Sequence, residues 1–234
     1  MDKIALITGA SSGIGEKLSI NLSCQGYYVL LASRNIKKLK KIESILKSKG
    51  KASKSFQLDI CDQNSIQQLN NDIKKIGIPD IIINNAGIGT FAKIEDVTAE
   101  EWRKQIDTNL SGPFLVVKSF ISDMKKRKKG TLVFINSVAG KYGYPFSQAY
   151  VSSKFGLRGL ADSLRNELRK DNIKVVSVFP GAVDTAFWDG AKVDFPNEEM
   201  LSSENVANVI VSNILSENNL VVEDMVIRRT QGDF

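Results

Sequence analysis

Tyr150 and Lys154, four residues apart, are the side chains in this sequence best placed for acid–base chemistry. They stand near the start of a predicted helix whose leucines form an apolar stripe, and the 3.6-residue period puts both at the edge of that stripe. We therefore expect Lys154 to face a cleft beside the Tyr150 phenol. A cation about 5 Å away favours the phenolate by roughly 3 kcal/mol, or about two pK units, at an effective dielectric near 20. The pair is predicted to be a general acid–base catalyst in which Lys154 lowers the pKa of Tyr150.

Two further polar residues are candidates for the same site. Ser137 ends a predicted strand, where a hydroxyl is well placed to hydrogen-bond a substrate oxygen, and Asn109 follows a predicted helix. Taken singly, each residue has a simpler explanation: a turn residue for Ser137, a helix cap for Asn109 and a packed aromatic for Tyr150. Their occurrence in one chain with a glycine-rich loop favours a catalytic site.

Histidine is absent from the sequence, and its two cysteines, Cys24 and Cys61, do not have the spacing of metal ligands. Without histidine, Ser-His-Asp hydrolysis, Cys-His proteolysis and most zinc catalysis are excluded. No metal site is predicted, and tyrosine is the best acid–base group that remains.

A glycine-rich turn follows the first predicted strand. Residues 8–15 read Thr-Gly-Ala-Ser-Ser-Gly-Ile-Gly, and a helical pattern begins at once. Glycines at such a turn allow the backbone to approach a pyrophosphate, which then lies on the helix N-terminus. The turn alone is also compatible with a tight bend that binds nothing. The strand before it and the helix after it favour a dinucleotide site.

The end of the second predicted strand indicates which dinucleotide is bound. A site for NAD(H) usually has an acidic residue about 20 residues beyond the loop, on the ribose hydroxyls. Residues 32–35 read Ala-Ser-Arg-Asn and contain no acid. Arg34 can instead form a bidentate contact with a 2′-phosphate. NADP(H) is therefore predicted in preference to NAD(H), although Arg34 is also compatible with an ordinary surface residue.

Strand-like and helix-like segments alternate along the whole chain. The strand-like segments are mostly continuous apolar runs, which is typical of parallel strands covered on both faces. A capping box, Thr98-x-x-Glu101, is predicted to open one of the helices between them. We predict an α/β fold: a single Rossmann-type, doubly wound parallel sheet of about seven strands with helices on both faces, in one domain over residues 1–234. The predicted strands are Lys3–Thr8, Tyr27–Ala32, Ser55–Leu58, Asp80–Asn84, Thr131–Asn136, Lys174–Phe179 and Val221–Arg228.

One irregular stretch, Ala186–Leu201, is predicted to form a short substrate loop. It follows the sixth strand, and in a doubly wound sheet it would lie at the carboxyl ends of the strands, where ligands bind. Its aromatic residues, Phe187, Trp188 and Phe195, and Pro196 favour an apolar substrate of limited size.

The net charge of +6 comes mainly from lysines within residues 37–54 and 125–129. In the first of these segments apolar residues recur at helical spacing, so the lysines form the solvated face of an amphipathic helix. Aromatic residues do not interleave with the lysines, and no nucleic-acid partner is predicted. No stretch has the apolar length of a membrane span, and no targeting leader precedes the first strand. We therefore expect a cytoplasmic protein without a membrane partner.

Together these features resemble the short-chain dehydrogenase/reductase family, in its single-domain type, over nearly the whole chain. The resemblance implies that Tyr150 donates a proton to a carbonyl and that Ser137 positions that carbonyl. It also implies that Lys154 lowers the tyrosine pKa and holds the nicotinamide ribose, and that Asn109 keeps a water for proton relay. The motifs that carry it are Thr8-Gly9-x-x-x-Gly13-x-Gly15, Asn84-Asn85-Ala86-Gly87, Asn109, Ser137, Tyr150-x-x-x-Lys154 and Pro180-Gly181-x-Val183-x-Thr185.

The resemblance also implies a set of cofactor-binding residues. Asp59 and Ile60 would flank the adenine, and Thr185 would meet the carboxamide. Members of the family use no metal and commonly form homodimers or homotetramers, here through helices at 113–126 and 150–169. The implied cofactor-binding residues are Gly9, Ser11, Ser12, Gly13, Ile14, Gly15, Arg34, Asp59, Ile60, Asn85, Ala86, Gly87, Tyr150, Lys154, Pro180, Gly181, Val183 and Thr185.

By the same resemblance, the expected function is NADP(H)-dependent hydride transfer between nicotinamide and a ketone, aldehyde or hydroxy acid, as in carbonyl reductases and alcohol dehydrogenases. A reductase of 3-ketoacyl groups on acyl carrier protein is the alternative, and the absence of a glycine-rich ending in residues 225–234 weakens it. A non-catalytic NADPH sensor would be expected to lack one of Asn109, Ser137, Tyr150 and Lys154, all of which are present. An epimerase or dehydratase of nucleotide sugars would need more chain after Thr185.

Overall fold

The structure, a computed structural model, describes residues 3–189, 200–216 and 220–232. Strands β1 to β9 span Ile4–Thr8, Tyr28–Ser33, Ser53–Gln57, Ile81–Asn84, Gly130–Ile135, Ile173–Pro180, Val183–Asp184, Leu201–Ser202 and Asp224–Ile227. Helices α1 to α7 span Gly13–Cys24, Ile36–Ser48, Gln63–Lys74, Ala99–Ile106, Gly112–Arg127, Gln148–Leu168 and Ser203–Ile214.

Seven of these strands form one parallel sheet, in the order β3-β2-β1-β4-β5-β6-β9. The short strands β7 and β8 pair separately with each other. From β1 the chain winds outward to β3, then returns to the other side of β1 as β4 and winds in the opposite direction. The loops after β1 and β4 therefore diverge at the carboxyl edge and leave a crevice between them, which is where such sheets bind ligands. The predicted doubly wound α/β fold is confirmed.

Helices cover both faces of the sheet, which explains why its central strands are apolar throughout. All five residues of β1 are buried. Its Ala5 and Ile7 pack in the core beneath α1, α2 and α7, whereas Leu6 packs in the core beneath α3, α5 and α6. Each of these cores fixes one face of the sheet, so that the strand ends that carry the candidate site are held rigidly.

The predicted strands are confirmed with bounds that shift by at most two residues, except for the last. Strand β9 begins at Asp224 rather than Val221, because its ladder with β6 runs only from Ser177 to Pro180. Within the stretch predicted as irregular, Leu201 belongs to β8, and residues 190–199 lie outside the described residues. The single-domain organisation stays a prediction.

The capping box that was predicted at Thr98 and Glu101 is confirmed, with both of its hydrogen bonds present. No helix within the described residues is long and apolar enough to cross a membrane. Nor do the described residues bring three or more histidine, cysteine, aspartate or glutamate side chains together as a metal site.

Candidate active site

A cavity of about 770 Å³ opens at the carboxyl edge of the sheet. It is lined by the loops that follow β1 to β6 and by the first turns of α6. Every residue predicted for the site lines this cavity except Gly15 and Asn109. Gly15 and Asn109 are buried behind the residues that line the cavity, and each helps to hold those residues in place.

The glycine-rich loop is fastened to the loop after β4. Thr8 Oγ1 accepts hydrogen bonds from the backbone N–H groups of Asn85 and Ala86, each at 3.1 Å. In return, the Asn85 side-chain amide donates to the carbonyl oxygens of Thr8 (3.0 Å) and Gly9 (3.1 Å). A Cβ on Gly15 would overlap the Gly9 carbonyl and the Asn85 amide, so glycine is required where the two loops meet.

The N-terminus of α1 faces the cavity. Ser12 is its N-cap residue, but its side chain makes no capping hydrogen bond. Gly9 has a φ of 65°, a left-handed conformation that glycine adopts without strain. The loop thus presents bare backbone and the positive end of a helix dipole, which together favour an anion such as a pyrophosphate.

Lys154 is almost completely buried, with 5% of its surface exposed. Its Nζ donates a hydrogen bond to the Ile135 carbonyl oxygen (3.0 Å) and lies 5.6 Å from the centre of the Tyr150 ring. A Cβ on Gly87 would lie 3.3 Å from Asn109 Oδ1 and 3.7 Å from that Nζ, so the Gly87 backbone packs close to both side chains. The predicted placement of Lys154 in a cleft beside Tyr150 agrees with this geometry.

The Tyr150 phenol and the Ser137 hydroxyl both line the cavity, and Ser137 acts on the phenol as a hydrogen-bond partner that lowers its pKa. Burial raises the pKa of Tyr150 to about 12, and the hydrogen bond from Ser137 opposes that rise only in part. Burial also lowers the pKa of Lys154 to about 8, because little water remains to solvate its charge. The net shift of the Tyr150 pKa is thus upward, opposite to the predicted direction, and burial is its largest cause. The effect of Lys154 on the phenol stays a prediction.

Asn109 is fully buried and ties the loop after β4 to α6. Its Oδ1 accepts from the Ile88 N–H (2.9 Å), and its Nδ2 donates to the Ile88 carbonyl (2.8 Å) and to Ser153 Oγ (3.0 Å). It lies in a π-helical turn, Asp107–Ser111, between α4 and α5. Such turns re-aim a side chain within a helix and are frequent at functional sites. Its predicted water-holding role is not tested by these contacts.

Two residues that position the site, Asn136 and Ser153, were not identified from the sequence. Asn136, 3% exposed, donates from Nδ2 to the Lys154 carbonyl (3.1 Å) and accepts from the Ser137 N–H (2.9 Å), so it links the strand end to α6. Ser153 links α6 to Asn109. Asn136 could have been identified as a polar residue at the end of an otherwise apolar strand. No sequence pattern distinguishes Ser153, because it looks like any polar residue of an amphipathic helix.

The end of the cavity away from Tyr150 is lined by Arg34, Asp59 and Ile60, which are among the cofactor-binding residues that the resemblance implies. Arg34 is exposed and makes no ion pair among the residues that the structure describes. Asn35, the next residue, caps α2 by accepting from the Lys38 N–H (3.0 Å), which fixes the turn that presents the guanidinium. An exposed cation on a fixed turn can bind a phosphate group.

Aromatic residues close the end of the cavity nearest Tyr150. Phe187 and Trp188 of the predicted substrate loop line it, whereas Phe195 and Pro196 lie outside the described residues. Phe91, which the sequence analysis did not single out, joins them. It lies in an irregular connection without periodicity, so no pattern marked it.

Comparison with known proteins identifies relatives over the full length of the chain. A family model described as short chain dehydrogenase matches residues 3–194. The sepiapterin reductase of Chlorobaculum tepidum is 33% identical, over 100% of this chain and 98% of its own length.

Solved structures superpose closely as well. The alcohol dehydrogenase of the archaeon Thermococcus sibiricus, complexed with 5-hydroxy-NADP, has a TM-score of 0.90 and 28% identity, with 97% of each chain covered. A metagenomic short-chain oxidoreductase in complex with NADP has a TM-score of 0.86 and 28% identity, again with 97% of each chain covered.

Proposed function

The chain belongs to the short-chain dehydrogenase family, and from this premise we propose that it is an NADP(H)-dependent oxidoreductase that acts on a carbonyl or secondary alcohol group. The observation that carries the proposal is that Tyr150, Ser137 and the buried Lys154 line one cavity, with Lys154 Nζ 5.6 Å from the centre of the Tyr150 ring. This arrangement lies in the same cavity as the glycine-rich loop. The sequence similarity to a sepiapterin reductase supports the same class of reaction.

The residues that surround the cavity fit NADP(H). The loop at 9–15 and the N-terminus of α1 would hold the pyrophosphate, and Arg34 would bind the 2′-phosphate of the adenosine ribose. A Cβ on Gly13 would lie 2.9 Å from Thr185 Cγ2, so this glycine lets the segment after β7 approach the loop. Thr185 would then meet the carboxamide. The NADP in the solved structures above supports this choice of cofactor.

Hydride transfer is the chemistry that NADP(H) supplies when it is bound. Tyr150 donates a proton to the carbonyl oxygen, which Ser137 holds by a hydrogen bond. With a pKa near 12 the phenol carries its proton at neutral pH, which suits a proton donor in reduction. Lys154, with a pKa near 8, is mainly charged at pH 7 and stabilises the phenolate that remains.

Removal of the Tyr150 hydroxyl tests the proton-donor role. In Tyr150→Phe we expect kcat for ketone reduction by NADPH to fall at least about 100-fold, because the proton donor is lost. The Kd for NADPH should stay within about twofold. Stopped-flow or steady-state loss of NADPH absorbance gives the rate, and a fluorescence titration gives the Kd.

The matched control is Tyr142→Phe, which removes the hydroxyl of an exposed tyrosine that does not line the cavity. That variant should keep the wild-type rate. A Tyr150→Phe protein with more than about a tenth of the wild-type kcat would disprove the assignment. NADPH binding without turnover of any carbonyl by the wild type would favour a sensor instead.

Arg34 tests the choice of dinucleotide. Arg34→Ala should raise the Kd for NADPH about 10- to 100-fold, as expected for loss of a charge-assisted hydrogen bond to phosphate, and leave the Kd for NADH nearly unchanged. Isothermal titration calorimetry measures both constants. Arg103→Ala on α4, also exposed, is the control and should change neither. Equal weakening of both cofactors in Arg34→Ala, or tighter binding of NADH than NADPH by the wild type, would contradict the assignment.

We also propose that the chain forms a homodimer through α5 and α6. Phe114 on α5 and Phe155 on α6 are large apolar side chains with 45% and 43% of their surface exposed. The family resemblance points to the same helices. Light scattering after size exclusion should give twice the monomer mass, and Phe114→Asp with Phe155→Asp should give the monomer. Ile45→Asp, at an exposed apolar position of α2, should stay dimeric. A monomeric wild type would exclude the dimer.

A further inference from the structure

The positive charge of the chain is concentrated in one segment beside the cavity. Residues 34–54, which comprise the turn after β2, α2 and the start of β3, contain nine of the chain's 32 lysines and arginines but only one of its 26 acidic residues, Glu43. The rest of the chain has 23 basic and 25 acidic residues, so this segment carries a net charge of +8 and the remainder −2. In net terms, the positive charge of the chain comes from this segment.

The lysines of α2 lie on its solvent face. The helix packs on the sheet through buried apolar residues, whereas all of its lysines are exposed. Two of these lysines form ion pairs with Glu43, at 3.0 and 2.6 Å. Lys37, Lys38 and Lys41, in the first two turns, make no ion pair among the residues that the structure describes. We call these three residues the lysine trio. Their charges are thus not neutralised within the fold.

The lysine trio lies next to the rim of the cavity. Arg34 and Asn35 line the cavity, and α2 begins at the next residue, Ile36. At a rise of about 1.5 Å per residue, Lys41 is about 8 Å from Ile36 along the helix axis, which is within one Debye length, about 10 Å, at 0.1 M salt. The three lysines do not line the cavity themselves. They therefore act on an approaching anion by attraction at a distance rather than by contact.

The ligand assigned to this rim is strongly anionic. NADPH carries about four negative charges at neutral pH, about two of them on the 2′-phosphate, whereas NADH carries about two. Of the described residues that line the cavity, Asp59 is the acidic one, and it lies at the same end as Arg34. Seen from a distance, these two opposite charges largely cancel. A net attraction for the approaching cofactor therefore has to come from residues outside the cavity lining.

We propose that the lysine trio guides NADPH into its site and favours it over NADH by speeding its association. The inference rests on the proposed NADP(H) site and adds a kinetic selection that precedes the contact with Arg34. Electrostatic attraction of this kind raises association rate constants by about 10- to 1000-fold. It leaves dissociation nearly unchanged, because the guiding groups do not touch the bound ligand. Since the attraction grows with the charge of the ligand, NADPH gains more than NADH.

A triple variant, Lys37→Gln with Lys38→Gln and Lys41→Gln, removes the three charges and keeps side chains that favour a helix. At an ionic strength of about 0.01 M, where the Debye length is about 30 Å, we expect kon to fall about fivefold or more for NADPH and less than about threefold for NADH. At about 1 M, where the Debye length is about 3 Å, kon should match that of the wild type within about twofold. Stopped-flow fluorescence of the reduced nicotinamide gives kon and koff, and koff should stay within about twofold throughout.

The matched control removes the same charge far from the rim. Lys75, Lys126 and Lys128 are exposed and lie at the ends of α3 and α5, which lead into β4 and β5 at the opposite edge of the sheet. Replacing all three with glutamine should leave kon for NADPH within about twofold of the wild type at low ionic strength. An equal fall of kon in both triple variants would mean that the net charge of the protein matters and the position of the lysine trio does not, which would overturn the inference.

Failure of this inference is distinguishable from failure of the proposed function, because binding is measured without turnover. If NADPH binds the lysine-trio variant as fast as the wild type at low ionic strength, the inference is overturned and the cofactor assignment stands. A wild type that does not bind NADPH would overturn both. If the variant keeps its kon for NADPH but loses binding to single-stranded DNA that the wild type shows, the lysines serve a nucleic acid, and the inference is again overturned.

Discussion

Desolvation of the pair formed by Tyr150 and Lys154 is the constraint on which the rest of the site depends. Burying an ammonium group is costly unless a partner replaces water, and here the Ile135 carbonyl does so at 3.0 Å. The same burial raises the pKa of Tyr150 to about 12, so the phenol keeps its proton at neutral pH. It lowers the pKa of Lys154 to about 8. A protonated phenol beside a buried ammonium group is thus obtained without histidine.

The surrounding fold holds this pair in place from two directions. Asn136 fixes the end of β5 to the first turns of α6, and Asn109 fixes the loop after β4 to the same helix through Ser153. The loop after β4 is in turn fastened to the glycine-rich loop by Thr8 and Asn85. Because β1 and β4 are neighbours in the sheet, the hydrogen bonds of Thr8, Asn85 and Asn109 link the glycine-rich loop, through the loop after β4, to the helix that carries Tyr150. The position of each group therefore depends on the topology of the sheet.

Much of this could be predicted from the sequence, and the rest depended on distances that a sequence does not contain. Continuous apolar runs located the strands, and the motifs around Gly9, Asn85 and Tyr150 identified residues that line one cavity. The Tyr150 pKa shifts upward rather than downward as predicted, because spacing reveals a nearby lysine but not the burial of the phenol. Asn136 and Phe91 were missed for a related reason. Their partners are distant in the chain, and neither lies in a periodic pattern that would mark it.

The protonation state of Tyr150 in the protein alone tests the central claim most directly. A difference titration of phenolate absorbance, wild type minus Tyr150→Phe, isolates this phenol from the other four tyrosines. We expect no difference signal as the pH is raised through 8 and 9, because burial keeps the pKa near 12. A phenolate signal from Tyr150 with a midpoint near pH 8 would contradict the account and would mean that Lys154 outweighs desolvation.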